Sequence, residues 1–335
     1  MRAQRLIFPE INRTAWEDFD IPGSPAAHEV IARSITSLVS AGTELSIYTG
    51  AHMGYSLPNP PFPLMPHRPG YALVGEITAL GSAVEGLTVG RRVLMEAGHG
   101  TMAVTDTRTH AVVPVPEGVS STRAPLARLA GIAFTALRLA PPQLGQRVVV
   151  LGLGLVGLLS GQLFHLAGAR PVVGMDRLPE RLKLAEACGI TPADASREEP
   201  AAAVGRVIGD SGADIVIEAT GSPTLVPVGL EAARRGGTVV LLGSTRGAVT
   251  LDAYSLLHRK AVRLIGGHET ALPFQGDHPW PRLRNLALAL DLMAAGELRT
   301  DGMITDELKM EQALSAHDLL RTHPEAHLGV VIHWQ

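Results

Sequence analysis

The chain is poor in cysteine. Cys188 is the single one among 335 residues, so no intrachain disulfide forms and a cysteine-rich zinc lobe is excluded. A basic excess is missing too. The formal net charge is −3 at pH 7 and no Lys/Arg block stands out, so nothing favours a nucleic acid or an anionic membrane as partner. Long apolar runs are also absent. The longest, "VVVLGLGLVGLLSG", is punctuated by glycines and is shorter than a membrane span. The start, "MRAQRLIFPEINRTAWEDFDIP", has basic residues but no apolar signal-peptide region. These absences lead to the expectation of a soluble, cytoplasmic protein.

What is present suits two ordinary domains. Hydrophobic residues make up 46% of the chain and charged residues 18%, which supplies real cores at this length. Residues 1–127 are rich in Pro, Gly and short β-like runs such as "HEVIARSITSLV" and "YALVGEITAL", the pattern of a β-rich domain. In residues 128–265, apolar runs ("RVVVLG", "PVVGMD", "DIVIEAT", "TVVLLG", "VRLIGG") alternate with helix-like stretches ("LVGLLSGQLFHLAGA", "LPERLKLAEACG", "LVPVGLEAARRGG"). That alternation means a doubly wound parallel sheet of the Rossmann kind, covered on both faces. Residues 266–335 carry two helical patterns, "PRLRNLALALDLMAAGEL" and "KMEQALSAHDLL", and end in a strand, "LGVVIHW". The proline-rich loop from Gly50 to Gly70 reads as an ordered rim or lid.

"RVVVLGLGLVGLLSGQLFHLAGARPVVGMD" is the strongest functional signal. A strand runs into Gly152-x-Gly154-x-x-Gly157, which opens a helix, and a second strand ends at the acid Asp176. Gly152 permits the tight turn, Gly154 lets the backbone approach a pyrophosphate, and Gly157 lets helix pack on strand. Leu155 and Val156 open the helix, whose free N–H groups and dipole favour phosphates. Asp176 is placed to bond the ribose hydroxyls, and its charge repels a 2′-phosphate, so NAD(H) is favoured over NADP(H). Arg177 and Arg181 argue the other way, since arginines here can hold a phosphate; Arg181 can equally reach the ribose. Thr220, Gly221, Gly243 and Ser244 end later strands, where such a sheet lines its crevice.

With "GTELSIYTG", the block "PGYALVGEITALGSAVEGLTVGRRVL", the GLGLVG fingerprint and the closing "DGMITDELKMEQALSAHDLL", the chain resembles the medium-chain dehydrogenase/reductase superfamily of zinc alcohol, polyol and threonine dehydrogenases. The likeness runs nearly the whole length. It implies a GroES-like catalytic domain, a Rossmann cofactor domain and a tail that returns to the first. It also implies a catalytic zinc, and here the chain departs. Ala41 stands at the first Cys, Tyr71 at the His, Ala72 at the adjoining Glu and Arg128 at the third ligand. Ser46 is nearest to a proton-relaying His of the family, and the structural-zinc lobe is replaced by "EAGHGTM". Alanine and a neutral tyrosine cannot serve as zinc ligands, so no zinc is expected. Glu44, His52, His67 and His99 share the domain, at a spacing that matches no known ligand pattern. "SLVSAGTE" and "PGY" resemble a zinc-lacking branch that includes bacteriochlorophyllide dehydrogenases, and the tail resembles polyol dehydrogenases.

Without a metal, hydrogen-bond donors have to stabilise a developing oxyanion and move the proton. The expectation falls on Tyr71 as proton donor or oxyanion clamp, with a phenol pKa lowered beside a cationic nicotinamide and with Thr43 assisting. Glu44 orients these groups or pairs with a cation. His52 and His67 are read as solvated, and His165 and Cys188 as packing residues. The function expected is zinc-independent, NAD(H)-dependent interconversion of a secondary alcohol and its ketone. The substrate is a small molecule, uncharged and partly apolar because the His52–Pro69 loop supplies Met, Tyr, Phe and Leu. Two alternatives stay open: an enone or quinone reductase, and a non-catalytic dinucleotide-binding paralogue. "KAVRLIGG" reads as the last sheet strand, whose bare edge calls for a homodimer.

Overall fold

The computed structural model describes residues 2–56, 62–209 and 211–335. Six strands lie parallel in the order Thr191–Asp194, Val172–Asp176, Val148–Leu151, Ala213–Glu218, Ala233–Leu241 and Arg263–Gly266. Val148 to Leu151 are fully buried, as a strand covered on both faces requires. Helices Leu155–Leu166, Pro179–Ala187, Pro200–Ile208 and Leu225–Ala232 carry the chain between strands. Strand order reverses between Val148–Leu151 and Ala213–Glu218, and a crevice opens at their carboxyl ends.

One helix is shorter than its pattern suggested. In "LVPVGLEAARRGG" the helix stops at Ala232, and Ala233 already pairs with Ala213 in the sheet. The cause lies just downstream. Gly236 turns at φ 72°, and a Cβ on Gly237 meets the Ala213 carbonyl oxygen at 3.1 Å, so the backbone here runs against the neighbouring strand and leaves no room for a continuing helix.

A second sheet of seven strands joins Asp306–Lys309, Val330–His333, Glu29–Val39, Leu73–Leu80, Arg92–Met95 and Val112–Pro114 in that order, with Met102–Asp106 on Glu29–Val39. Its first two strands come from the end of the chain. Val330 pairs with Val39 and His333 with Thr36, while helix Arg282–Ala294 buries Leu286 and Leu290 in the largest core cluster, shared with helix Leu126–Leu139. "KMEQALSAHDLL" begins as a 3₁₀ turn, Met310–Ser315, before helix Ala316–Thr322. The N-terminal stretch folds as a hairpin, Arg2–Glu10 with Arg13–Asp20. Residues 57–61, the centre of the proline-rich loop, lie outside the described residues. No helix among the described residues is long and apolar enough to cross a membrane.

The returning tail strand is core, not decoration: Val330, Val331 and Ile332 are fully buried. Ile332→Ala is expected to cost about 2–5 kcal/mol, read as a lowered midpoint in denaturant titration; an unchanged midpoint would remove the strand from the core.

Candidate active site

The crevice is a cleft of about 1350 Å³ whose walls come from both sheets. At its cofactor end two of the three fingerprint glycines answer to a close contact and the third to open space. Gly152 turns at φ 91°, and a Cβ there strikes the Thr220 methyl at 2.3 Å; one on Gly157 strikes the Gly152 carbonyl oxygen at 1.9 Å. A Cβ on Gly154 meets nothing within 4 Å. Gly154 caps helix Leu155–Leu166 without a side-chain bond, so the helix N–H groups face open space, as a pyrophosphate requires. Asp176 ends its strand and accepts from Leu153 N at 2.8 Å and Arg177 N at 2.7 Å, with Arg181 at 3.7 Å. Leu155, Val156, Thr220, Gly243 and Ser244 also line the cleft. Gly221 supports it from behind: at φ 70° a Cβ would meet the Ser244 carbonyl oxygen at 2.4 Å.

The other end gathers side chains from four chain segments. Ser40 follows strand Glu29–Val39, and Tyr71 precedes Leu73–Leu80. Gly70, at φ 97°, lets Tyr71 turn in, since a Cβ there would meet His99 N at 2.7 Å. The Tyr71 hydroxyl and Ser40 Oγ are hydrogen-bonded at 2.5 Å, and Thr43 lines the cleft with them. Thr43 opens the short helix Thr43–Tyr48 without capping it. Ser46 Oγ donates to the Thr43 carbonyl at 2.7 Å, which commits its proton within the helix. Burial pushes the Tyr71 phenol up from its ordinary value, against the lowering effects of Arg128 and Ser40. Desolvation of the phenolate outweighs the neighbouring guanidinium; the lowering expected beside a cationic nicotinamide concerns the cofactor-bound site. His52 lines the cleft, half-buried edge-on to Phe62, and His67 forms a backbone bridge with Phe8. Burial lowers both imidazoles, so neither is the freely solvated residue expected. His165 is half-buried near the end of its helix, and Cys188 is buried.

Arg128, in helix Leu126–Leu139, is 5% exposed. Its guanidinium lies 4.8 Å from the Tyr71 ring centre. Nη2 pairs with Glu269 at 2.8 Å and Nε with Glu96 at 2.8 Å; the angle to Glu96 is too poor for a hydrogen bond. Glu96 also accepts from Ala111 N, and Arg282 lies 3.6 Å from Glu269. A catalytic zinc does not fit here. Ala41, Tyr71 and Arg128 present a methyl, a phenol and a guanidinium in place of thiolate, imidazole and a third ligand.

Glu44 has turned away from the cleft. It is 1% exposed; Oε1 accepts from Ser40 N at 2.9 Å, and Oε2 accepts from His99 Nε2 at 2.9 Å and His317 Nε2 at 2.8 Å. Trp334 Nε1 donates to Ser37 Oγ, which leaves the Ser37 proton for His99 Nδ1 at 2.7 Å, so the network assigns the His99 proton to Nε2. These three residues are the one group among those described whose ligand atoms could hold a metal ion, all within 4.8 Å. None of the three lines the cleft. His317, Ser40, Glu96 and Glu269 were not foreseen. His317 had no local signal, since only the returning tail brings it to Glu44.

Comparison with known proteins points one way. The profile of the alcohol dehydrogenase GroES-like domain matches residues 27–132, and that of the zinc-binding dehydrogenases matches 156–283. A D-xylulose reductase of Saccharomyces cerevisiae is 25% identical over 98% of this chain and 97% of its own. An L-threonine 3-dehydrogenase of Pyrococcus horikoshii is 28% identical over 91% of each. The crystal structure of galactitol-1-phosphate dehydrogenase from Escherichia coli superposes with a TM-score of 0.84 at 18% identity, covering 98% of this chain and 99% of that one.

Burial opposes ionisation of Glu44, but His99 and His317 outweigh it and hold the carboxyl far below its ordinary 4.5. A group so depressed in the folded state stabilises fully above its unfolded value and loses that contribution as pH falls. Glu44→Gln is expected to cost about 2 kcal/mol at pH 7. Its deficit against the wild-type chain should shrink as pH falls below 4.5. A deficit independent of pH in denaturant titrations would contradict the charged assignment.

Proposed function

The chain belongs to the medium-chain, zinc-type alcohol dehydrogenase-like superfamily and is an oxidoreductase; from that premise we propose that it interconverts a secondary alcohol and its ketone with NAD(H), with no zinc at the reacting oxygen. The observation that carries the reading is the Tyr71–Ser40 hydroxyl pair, facing the cofactor cleft where metal ligands would otherwise stand. Relatives named as D-xylulose reductase and sorbitol dehydrogenase support alcohol–ketone chemistry.

The Gly152–Gly157 turn and Asp176 would hold NAD(H), which when bound would supply or accept the hydride. In ketone reduction the carbonyl carbon takes the hydride and the oxygen takes the Tyr71 proton. The raised phenol value keeps that proton in place until the oxyanion develops. Ser40 Oγ returns a proton to Tyr71 from the cleft. Oxidation runs the same steps backwards. Asp176, oriented by backbone donors, stands where the adenosine ribose would lie and favours NAD(H) over NADP(H). Glu44, His99 and His317 act as a buried clamp joining the Ser40 turn, the "EAGHG" loop and the tail. The reading places the enzyme in the cytoplasm. It pairs two copies through strand Arg263–Gly266, which stands at the sheet edge with apolar residues that an unpaired edge would expose.

Turnover of secondary alcohols and ketones by protein of measured metal content tests this. Activity with far less than one zinc per chain, unchanged by a chelator, is the expected outcome, with NADH bound more tightly than NADPH. Activity that vanishes with the chelator and returns with zinc would overturn the metal-free reading, and turnover of enones alone would overturn the reaction.

A further inference from the structure

The Arg128 fork is only partly used. Nε faces Glu96 and Nη2 bonds Glu269 at 2.9 Å. Among the described residues Nη1 makes no hydrogen bond, and it is absent from the buried atoms left without a partner. That N–H pair is not sealed in, and the side chain that carries it lines the cleft. Resting on the function proposed above, we propose that Arg128 is the electrophile of the site: its Nη1 amino group donates to the reacting oxygen, opposite the Tyr71 hydroxyl.

Three features support this beyond proximity. First, the hydrogen bond to Glu269 and the ion pair with Glu96 restrain the guanidinium, so the donor is held in place before the oxygen arrives. Second, Tyr71 stacks on the same guanidinium, which ties the proton donor and the electrophile into one unit. Third, Glu96 and Glu269 cancel the charge of Arg128 and its neighbour Arg282. A site so neutralised takes an uncharged carbonyl or hydroxyl oxygen and disfavours a substrate carboxylate or phosphate at this position. In reduction the ketone oxygen gains negative charge as hydride reaches its carbon; Nη1–H stabilises that charge without transferring its proton, and Tyr71 supplies the proton.

Arg128→Met is expected to lower kcat about 100-fold, the scale of losing one oxyanion donor, with a smaller change in KM because the bond strengthens in the transition state. The dissociation constant for NADH should stay within twofold. The double variant Arg128→Met/Glu269→Gln removes a cation and an anion together and should show the same loss with the buried charge balance kept. A kcat within twofold of wild type in either folded variant overturns the proposal and leaves the dehydrogenase reading standing. No alcohol or ketone turnover by the unmodified enzyme overturns that reading instead. A crystal of the unmodified protein with NAD⁺ and isopropanol decides the matter without substitution. The alcohol oxygen is expected about 3 Å from Nη1; an oxygen beyond hydrogen-bond reach of Nη1 overturns the proposal whatever the variants do.

Discussion

Taking a guanidinium out of water costs several kcal/mol unless carboxylates meet it, and the substrate end of this cleft is arranged around that requirement. Arg128 comes from the helix that leads into the parallel sheet, Glu96 from the end of a strand in the other sheet, and Glu269 from the turn after the last parallel strand. The ion network therefore holds two sheets and a linking helix at one point. Tyr71 stacks on it and Ser40 bonds Tyr71. Moving any one of these segments would leave a buried charge without its partner.

A second polar cluster lies behind the first. Glu44 reaches Ser40 through the backbone and reaches His99 and His317 through its other oxygen. It fixes the turn that carries Ser40, and so sets the position of the Tyr71 partner from outside the cleft. The tail, from which His317 comes, belongs to the site through this contact and through the strand pairing of Val330–His333. At the cofactor end the constraint is steric. The turn closes only because Gly152 and Gly157 lack side chains that would meet Thr220 and the Gly152 carbonyl.

The parts that could be read from the sequence are those with a local cause. The glycine fingerprint, the fully apolar strands and the acid ending the second strand each carry their physics within a few residues, and the structure places them accordingly. Tyr71, Thr43, Ala41 and Arg128 come together at the cleft, as the departures from the zinc pattern implied. What escaped was set by distant partners. Arg128 read as a mismatch because its meaning lies in Glu96 and Glu269, far along the chain. Glu44 read as orienting the site groups or pairing with a cation, but that His317 in the tail is one of its partners could not be read locally. The extent of desolvation of the Tyr71 phenol is a property of the folded cleft that no local pattern encodes. The helix over "LEAARRGG" failed at a backbone crossing that no periodicity encodes.

The most direct test of a metal-free site is anomalous diffraction at the zinc edge from crystals of the active enzyme with NADH bound. The proposed metal-free reading leads to the expectation of a guanidinium beside Tyr71 and no anomalous peak anywhere in the cleft. A peak of full occupancy within bonding distance of Tyr71, Ser40 or Glu96 would contradict it.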